Sequence, residues 1–275
     1  MVIIPTTIAT KDNLFLKTKS WIIDNPKAVI CLVHGFGEHI SRYEHVGQFF
    51  NENGYAVFGF DLRGHGESGG KRGHTPTYEA YLDDIQLFIN AVKLQYKNTP
   101  MFLYGHSMGG NLVLNYLIKR TPSVFGIITT GPWIQLAFAP KPLMLTLGKM
   151  MRSILPAFSQ PSGLVREHLS RDPSVVAANR NDKLINLQIT ASAGMGITDA
   201  ATFLNTYEGS LPVPTLIMHG GDDLITSQPA SEAFAKRIKG DVTYRKWEGM
   251  YHEIHNEFDK IAVLNYTLDW LNKKI

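Results

Sequence analysis

The sequence predicts an α/β fold, in which helices cover a mostly parallel sheet of about eight strands. Apolar, β-branched runs alternate with helical patterns through most of the chain, as expected for strands joined by helical crossovers. Strands of a parallel sheet are buried on both faces, so their sequences are apolar throughout rather than alternating. The length of 275 residues and the hydrophobic content of 44% suffice for one large domain with an insertion, or for two small domains.

The strands are predicted from these apolar runs. The candidates are residues 28–33, 55–60, 101–104, 125–129, 214–218 and 242–247. An opening hairpin over residues 3–23 is expected to add antiparallel strands at one edge.

Helices are predicted where apolar residues recur at helical spacing. Residues 78–92 carry such a face, with Thr75 as the expected N-cap and Pro76 in the first turn. A second helix is predicted over residues 110–120, and the last one over residues 257–274. The buried face of the last helix is expected to comprise Phe258, Ile261, Leu264, Leu268 and Leu271.

The alternation of strands and helices stops over residues 132–212, which we call the cap segment. Its first part, residues 133–158, is rich in Leu, Met, Phe and Pro. Open α/β sheets bind ligands at the carboxyl ends of their strands, so we expect a helical cap over that edge. Residues 1–131 and 213–275 then form the core. The apolar excess fits two interpretations: packing against the core, or an exposed face that contacts lipid or lines an acyl channel.

A sharp turn is predicted at residues 105–109, Gly-His-Ser-Met-Gly, between an apolar strand and a helix. A Gly-x-Ser-x-Gly in this context exposes the serine hydroxyl, and the flanking glycines tolerate the strained backbone. The following helix N-terminus favours developing negative charge. The bare pentapeptide would equally fit an incidental turn, but the strand before it and the helix after it favour Ser107 as a nucleophile.

A serine nucleophile needs a base to remove its proton and a carboxylate to orient that base. At a turn of this kind the chain order is serine, acid, histidine, each after a successive strand. The turn after the fifth predicted strand offers Asp222 and Asp223, of which we choose Asp223. The turn after the last strand offers His252, which we prefer to its rivals His219 and His255. The predicted triad is therefore Ser107, Asp223 and His252.

The negative oxygen of an acyl-transfer intermediate needs two backbone N–H donors, each typically worth ~2.7–4 kcal/mol. The residue after the nucleophile, Met108, supplies one. The loop after the first buried strand, His-Gly-Phe-Gly at residues 34–37, is expected to supply the other through Phe36.

The composition argues against several other functions. A net charge of +3, with scattered Lys and Arg, gives no support for nucleic-acid binding. The single cysteine, Cys31, lies in an apolar run and allows no internal disulfide. The first 13 residues lack a signal-peptide pattern, and no apolar run reaches the length of a bilayer span. No metal motif is present, since residues 252–255 are too closely spaced for the zincin pattern. We expect a cytoplasmic protein without metal or cofactor.

These motifs resemble those of the α/β-hydrolases of the monoacylglycerol lipase group, over nearly the whole chain. The resemblance is carried by residues 34–39 with 41–43, 61–68, 105–110 and 251–255. The Gly-x-Ser-x-Gly and Asp-x-Arg-Gly-His-Gly elements are shared by many hydrolases, whereas Gly-Glu-His followed by Arg-Tyr is narrower. The resemblance implies an α/β-hydrolase fold and a serine esterase that cleaves monoacylglycerols to glycerol and free fatty acid.

The resemblance also implies that Glu38, Arg42 and His255 hold the glycerol end of the substrate. A local salt bridge between Glu38 and Arg42, one helical turn apart, is the alternative, and both roles are compatible. The expected partner is a small lipid ester, with transient membrane or micelle contact through the cap segment. A lysophospholipase, a general carboxylesterase or a proline-type peptidase of the same fold remains an alternative, as does a binding protein on a hydrolase scaffold. The sequence leaves the oligomeric state open.

Overall fold

The computed structural model of the chain describes residues 6–139 and 142–275. The strands are β1 (Thr7–Ala9), β2 (Phe15–Trp21), β3 (Ala28–Val33), β4 (Tyr55–Phe60), β5 (Met101–His106), β6 (Gly126–Thr130), β7 (Ser159–Pro161), β8 (Gln188–Thr190), β9 (Thr215–Gly220) and β10 (Val242–Trp247). The helices are α1 (Glu44–Glu52), α2 (Tyr78–Gln95), α3 (Met108–Arg120), α4 (Pro142–Ile154), α5 (Pro173–Asn181), α6 (Ala191–Thr206), α7 (Gln228–Arg237) and α8 (Lys260–Asn272).

One eight-stranded sheet organises the described part of the molecule, with the strand order β1-β2-β4-β3-β5-β6-β9-β10. Strands β1 and β2 pair antiparallel with each other, and β2 pairs antiparallel with β4. All pairs from β4 to β10 are parallel. The predicted mostly parallel sheet is therefore confirmed. The start of the predicted opening hairpin, residues 3–5, lies outside the described residues.

Each inner strand is buried on both faces, which explains its unbroken apolar sequence. In β3, Val29, Cys31 and Val33 join the core formed with α2, α3 and α6. The alternate residues Ala28, Ile30 and Leu32 join the core formed with α1 and α8 on the other face. The parallel register brings the carboxyl ends of β5, β9 and β10 to the same edge of the sheet.

Three predicted helix starts are wrong, and α3 begins at Met108 rather than at residue 110. Helix α2 begins at Tyr78, because the hydroxyl of Thr77 accepts the N–H of Ala80 and caps the helix. The predicted cap, Thr75, instead donates its hydroxyl to the Thr77 carbonyl.

The last helix begins at Lys260 rather than at residue 257, because the Glu257 carboxylate is bonded to the backbone N–H groups of Arg171 and Tyr251. Its buried face also differs from the prediction. Phe258 and Ile261 are 62% and 54% exposed. The buried residues of α8 are Val263, Leu264, Thr267, Trp270 and Leu271.

The cap segment lies between β6 and β9 and contains α4, α5, α6 and the antiparallel pair β7-β8. Helix α6 packs on α3, and α4 packs on α6. Much of α6 is therefore buried, whereas α4 exposes many apolar side chains. Within the described ranges no helix combines the length and the apolar character that crossing a membrane requires.

Candidate active site

Ser107 lies at the turn between β5 and α3, where its backbone has φ 54° and ψ −115°. A non-glycine residue in this region is strained, and such strain is concentrated at functional sites. The Ser107 hydroxyl does not cap α3, and it has no hydrogen-bond partner in the described part of the chain. A Cβ at Gly109 would lie only 2.1 Å from the Val33 carbonyl oxygen, so this helix can approach β3 only with glycine there. The turn presents an unengaged hydroxyl.

Two backbone N–H groups next to Ser107 are also free. Met108 is the first residue of α3, where N–H groups have no partner within the helix. Phe36 belongs to the loop after β3, and its neighbour Gly35 lies directly beside Ser107. Neither N–H donates to a carbonyl among the described residues. The arrangement leaves two donors available to a negative oxygen.

Asp223 and His252 are in direct contact with each other near Ser107. His252 Nδ1 donates to Asp223 Oδ2 over 2.7 Å. The other carboxylate oxygen accepts the N–H groups of Ile225 and Thr226, at 2.8 and 3.0 Å. The His252 ring also lies 4.7 Å, between centroids, from His106, the residue before Ser107. A carboxylate so anchored fixes both the tautomer and the orientation of the imidazole.

Asp223 and His252 shift each other's pKa in opposite directions. Burial alone would raise the pKa of Asp223, but the charge and hydrogen bonds of His252 and His219 hold it well below its usual range. Burial alone would lower the pKa of His252, but the Asp223 charge and hydrogen bond raise it above its ordinary value. An imidazole in contact with a carboxylate in this way is a stronger base than an isolated one.

The sequence did not reveal how Asp223 is held on its other side. His219, considered above as a rival base, places Nε2 3.0 Å from Asp223 Oδ2 and accepts the Ser231 hydroxyl at Nδ1. The Thr226 hydroxyl donates to the same carboxylate oxygen at 2.9 Å. Asp222, the rival acid, is exposed. The structure thus places His219 as a support of Asp223.

Glu38 and Arg42 lie in a buried polar network beside the loop after β3. Glu38 Oε1 accepts the Gly35 N–H at 2.6 Å and the Tyr43 hydroxyl at 2.7 Å, and Oε2 accepts from Arg42. Arg42 also forms a two-bond contact with Glu253, at 2.7 and 2.8 Å. Although Glu253 is buried, Arg42 holds the pKa of its carboxyl well below its usual range. The predicted salt bridge between Glu38 and Arg42 is present, and Glu253 extends it.

His255 is fully buried, and its ring contacts other rings. It stacks on Tyr43 with centroids 4.9 Å apart and meets His106 edge-on at 4.7 Å. Neither ring nitrogen has a hydrogen-bond partner among the described residues. Burial, together with the neighbouring His106, keeps the pKa of His255 well below its ordinary value. The neutral ring can therefore still form hydrogen bonds, and it lies beside the turn that carries Ser107.

A cavity of about 480 Å³ opens at Ser107 beneath the cap segment. Its lining is mainly apolar and includes Phe36, Trp133, Leu136, Leu164, Ile189 and Leu224. Among the described residues of this lining, His168 has the one titratable side chain; it lies in a short helical turn of the cap segment. Its ring has no hydrogen-bond partner in the described part of the chain. Glu38, Arg42 and His255 are not part of this lining.

Comparisons with known proteins agree with this geometry. The family model described as serine aminopeptidase, S33, matches residues 24–259. The chain is 29% identical over 254 residues to a monoacylglycerol lipase of Mycolicibacterium smegmatis, covering 91% of this chain and 90% of the relative. It is 32% identical over 242 residues to the phospholipase YtpA of Bacillus subtilis, covering 86% and 92%.

Solved structures extend the comparison. A monoacylglycerol lipase from Paleococcus ferrophilus superposes with a TM-score of 0.87 at 29% identity, covering 94% of this chain and 99% of that one. The chain spans only 29% of the length of an uncharacterised abhydrolase domain-containing protein of Dictyostelium discoideum, to which it is 35% identical. The chain belongs to the serine aminopeptidase S33 family and is an α/β-hydrolase of the monoacylglycerol lipase group.

Proposed function

We propose that this carboxylic ester hydrolase cleaves the ester bond of monoacylglycerols, releasing glycerol and a free fatty acid. Ser107 is the nucleophile, His252 the general base, and Asp223 the carboxylate that orients the base. The observation that carries the proposal is the 2.7 Å contact of His252 with Asp223 beside a strained, unengaged Ser107. The apolar cavity that opens at this serine suits an acyl chain.

The proposed reaction has two stages. In acylation, His252 takes the Ser107 hydroxyl proton while the serine oxygen bonds to the ester carbonyl carbon. The N–H groups of Phe36 and Met108 donate to the oxygen that becomes negative. Collapse of this intermediate breaks the bond to the glycerol oxygen, which receives the proton from His252. In deacylation, His252 activates a water that releases the fatty acid from Ser107.

The glycerol part of the substrate is assigned to polar groups on two sides of Ser107. On the core side, neither ring nitrogen of His255 has a partner in the described ranges, and the network of Glu38 and Arg42 lies next to it through Tyr43. On the cap side, the ring of His168 lines the cavity and is bonded to none of the described residues. A diol needs both donors and acceptors, and a neutral imidazole supplies one of each.

The test of this function is hydrolysis of monoolein by the native protein and by Ser107→Ala. The variant is expected to lose kcat by about 10⁶-fold if the three groups act as a unit. A fluorophosphonate should label the native protein and should not label Ser107→Ala. Ser153→Ala is the matched control, because this exposed serine on α4 donates its hydroxyl to the Lys149 carbonyl within the same helix. Near-normal turnover by Ser107→Ala would contradict the proposal.

A lysophospholipase is the second candidate, favoured by the 32% identity to the Bacillus subtilis phospholipase. Comparing turnover of monoolein, lysophosphatidylcholine, methyl oleate and a prolyl amide separates the alternatives. A peptidase that binds a free amino terminus needs an acidic group near the serine, and the described cavity lining contains no carboxylate. We therefore expect the prolyl amide to be the poorest substrate.

The cap segment, residues 132–212, is proposed to contact lipid through α4. Five apolar side chains of this helix are 42% to 77% exposed. They are Leu143, Met144, Leu147, Met150 and Ile154. Lys149 and Arg152 interrupt them, as cations do on helices that lie in a lipid interface. This contact would place the cavity entrance close to the lipid surface in which a monoacylglycerol is dissolved.

A further inference from the structure

The cap segment is bonded directly to the loop that carries the Phe36 N–H. His39, at the end of this loop, places Nε2 2.7 Å from Oδ2 of Asp182, which follows α5 in the cap segment. The His39 side chain is 5% exposed and the Asp182 side chain 29%, so the contact is partly shielded from water. Burial alone would raise the pKa of the Asp182 carboxyl, but the hydrogen bond from His39 keeps it below its usual value. The carboxylate is therefore charged and accepts a hydrogen bond from His39 Nε2–H.

A second contact lies two residues earlier in the same loop. The N–H of Asn186, in the cap segment, donates to the Gly37 carbonyl at 2.9 Å. Gly37 has φ 77°, and a Cβ there would lie 2.8 Å from the Asn186 carbonyl oxygen. The two backbones therefore approach as closely as glycine permits. Residues 182–186 hold the loop at two points that flank Glu38.

The Phe36 N–H donates to no group among residues 6–139 and 142–275, so its direction depends on how the loop is held on both sides. On the core side, Glu38 accepts the Gly35 N–H at 2.6 Å. On the cap side, the loop is held by Asp182 through His39 and by Asn186 through Gly37. Donors to a developing oxyanion act through fixed geometry, and small displacements weaken them.

We propose that Asp182 and His39 are positioning residues that hold the loop in the shape in which the Phe36 N–H faces the oxyanion. The inference rests on the proposed function, because it concerns the donor of that reaction. It assigns to the cap segment a part in the chemical step in addition to covering the acyl chain. Displacement of residues 182–186 from the core would weaken oxyanion binding while leaving Ser107, His252 and Asp223 in place.

The test compares Asp182→Ala with Asp182→Asn in the full-length protein. Loss of one oxyanion donor typically lowers kcat by about 10²–10³-fold. A donor that is displaced but still present should cause a smaller loss, so Asp182→Ala should lower kcat by about tenfold or more. KM should change by less than about threefold, because the acyl cavity is untouched. A trifluoromethyl ketone binds to such an enzyme as a tetrahedral oxyanion, so its affinity should fall by the same factor as kcat/KM. Asp182→Asn keeps one oxygen to accept from His39 but loses the oxygen that accepts the Leu184 N–H, so it should retain more activity than Asp182→Ala.

Glu167→Ala is the matched control, because this carboxylate pairs with Arg180 within the cap segment and does not reach the core. It should leave kcat and ketone binding unchanged. The double variant His39→Ala/Asp182→Ala should be no slower than Asp182→Ala alone, since the two groups act through one contact. Asp182→Ala with kcat and ketone affinity within twofold of the native protein would overturn the proposal. An equal loss in Glu167→Ala would overturn it as well. Absence of ester hydrolysis by the native protein would instead contradict the proposed function.

Discussion

The core side and the cap side of the cavity are built differently. On the core side, Asp223 is buried and both of its carboxylate oxygens accept hydrogen bonds. On the cap side, the lining is mainly apolar, and His168 has no bonded partner among the described residues. Hydrogen bonds fix direction, whereas apolar contacts adapt to shape. We infer that the core side carries the groups that react, whereas the cap side shapes the space for the substrate and holds the loop of Phe36 through Asp182 and Asn186.

The largest effect is expected from Asp223→Asn, which keeps the size of the side chain and removes its charge. We expect kcat to fall by about 10⁴-fold, because an amide does not hold the imidazole in the required tautomer. His252 must be neutral to accept a proton, and Asp223 raises its pKa above the ordinary value. Without that charge, burial lowers the pKa of His252, so the acidic limb of kcat/KM should move to lower pH. A pH–rate profile of both proteins checks this.

Asp222→Asn is the matched control for that measurement, because Asp222 is the residue before Asp223 in the chain and its carboxylate is exposed. It should leave both kcat and the acidic limb unchanged. If Asp222→Asn were the more damaging change, the choice of Asp223 as the acid would be wrong.

The next effect concerns stability on the core side. Arg42→Ala leaves the carboxylates of Glu38 and Glu253 buried without their cation. Breaking a buried ion pair typically costs about 3–5 kcal/mol, so the free energy of unfolding should fall by about that amount. Arg152→Ala, which removes an exposed pair with Asp199, should cost less than about 1 kcal/mol. Urea unfolding measures both.

The outcome also separates the two roles considered for Arg42. A stable Arg42→Ala protein that lost its preference for monoolein over methyl oleate would show that this arginine serves the substrate rather than the fold. A destabilised protein with unchanged preference would show the reverse.

The parts of the fold that depend on local pattern were predictable. The predicted bounds of β3, β4 and β10 match the observed ones. Strands β3 and β4 are continuous runs of apolar residues and glycine, whereas β10 also contains Arg245 and Lys246. Strand β5 extends two residues beyond its prediction, into Gly105 and His106, because its pairing with β6 continues past the glycine, a residue type that is depleted in strands. The fold class follows from alternation alone, whereas helix starts depend on which side chain caps the helix, as Thr77 does in α2.

The contacts that complete the site were not predictable, because they join residues far apart in the chain. Arg42 and Glu253 are 211 positions apart, and His39 and Asp182 are 143 apart. The sequence suggested only the partner one helical turn away, Glu38. The positions of His219 and His168 likewise depend on tertiary packing, which one sequence without relatives does not specify.

A smaller effect is expected from His168→Phe on the cap side. The ring size is kept approximately, but the hydrogen-bonding nitrogens are lost. If His168 binds a glycerol hydroxyl, kcat/KM for monoolein should fall by about tenfold, the value of one net hydrogen bond. Turnover of methyl oleate, which lacks the diol, should be unchanged. Equal effects on both substrates would mean that His168 shapes the cavity without recognising the head group.

The smallest effect is expected from the outer surface of the cap segment. Leu143→Ser/Leu147→Ser removes two side chains that are 77% and 42% exposed, so folding and hydrolysis of a short, water-soluble ester should be unaffected. Burying one leucine in lipid contributes about 1.5–3 kcal/mol when complete, so partial insertion of two predicts about tenfold weaker binding to phosphatidylcholine vesicles. Leu94→Ser, at a 64% exposed leucine on α2, is the matched control and should leave vesicle binding unchanged. Equal losses in both variants would mean that lipid contact is not specific to α4, and the cap side would then act only from within the cavity.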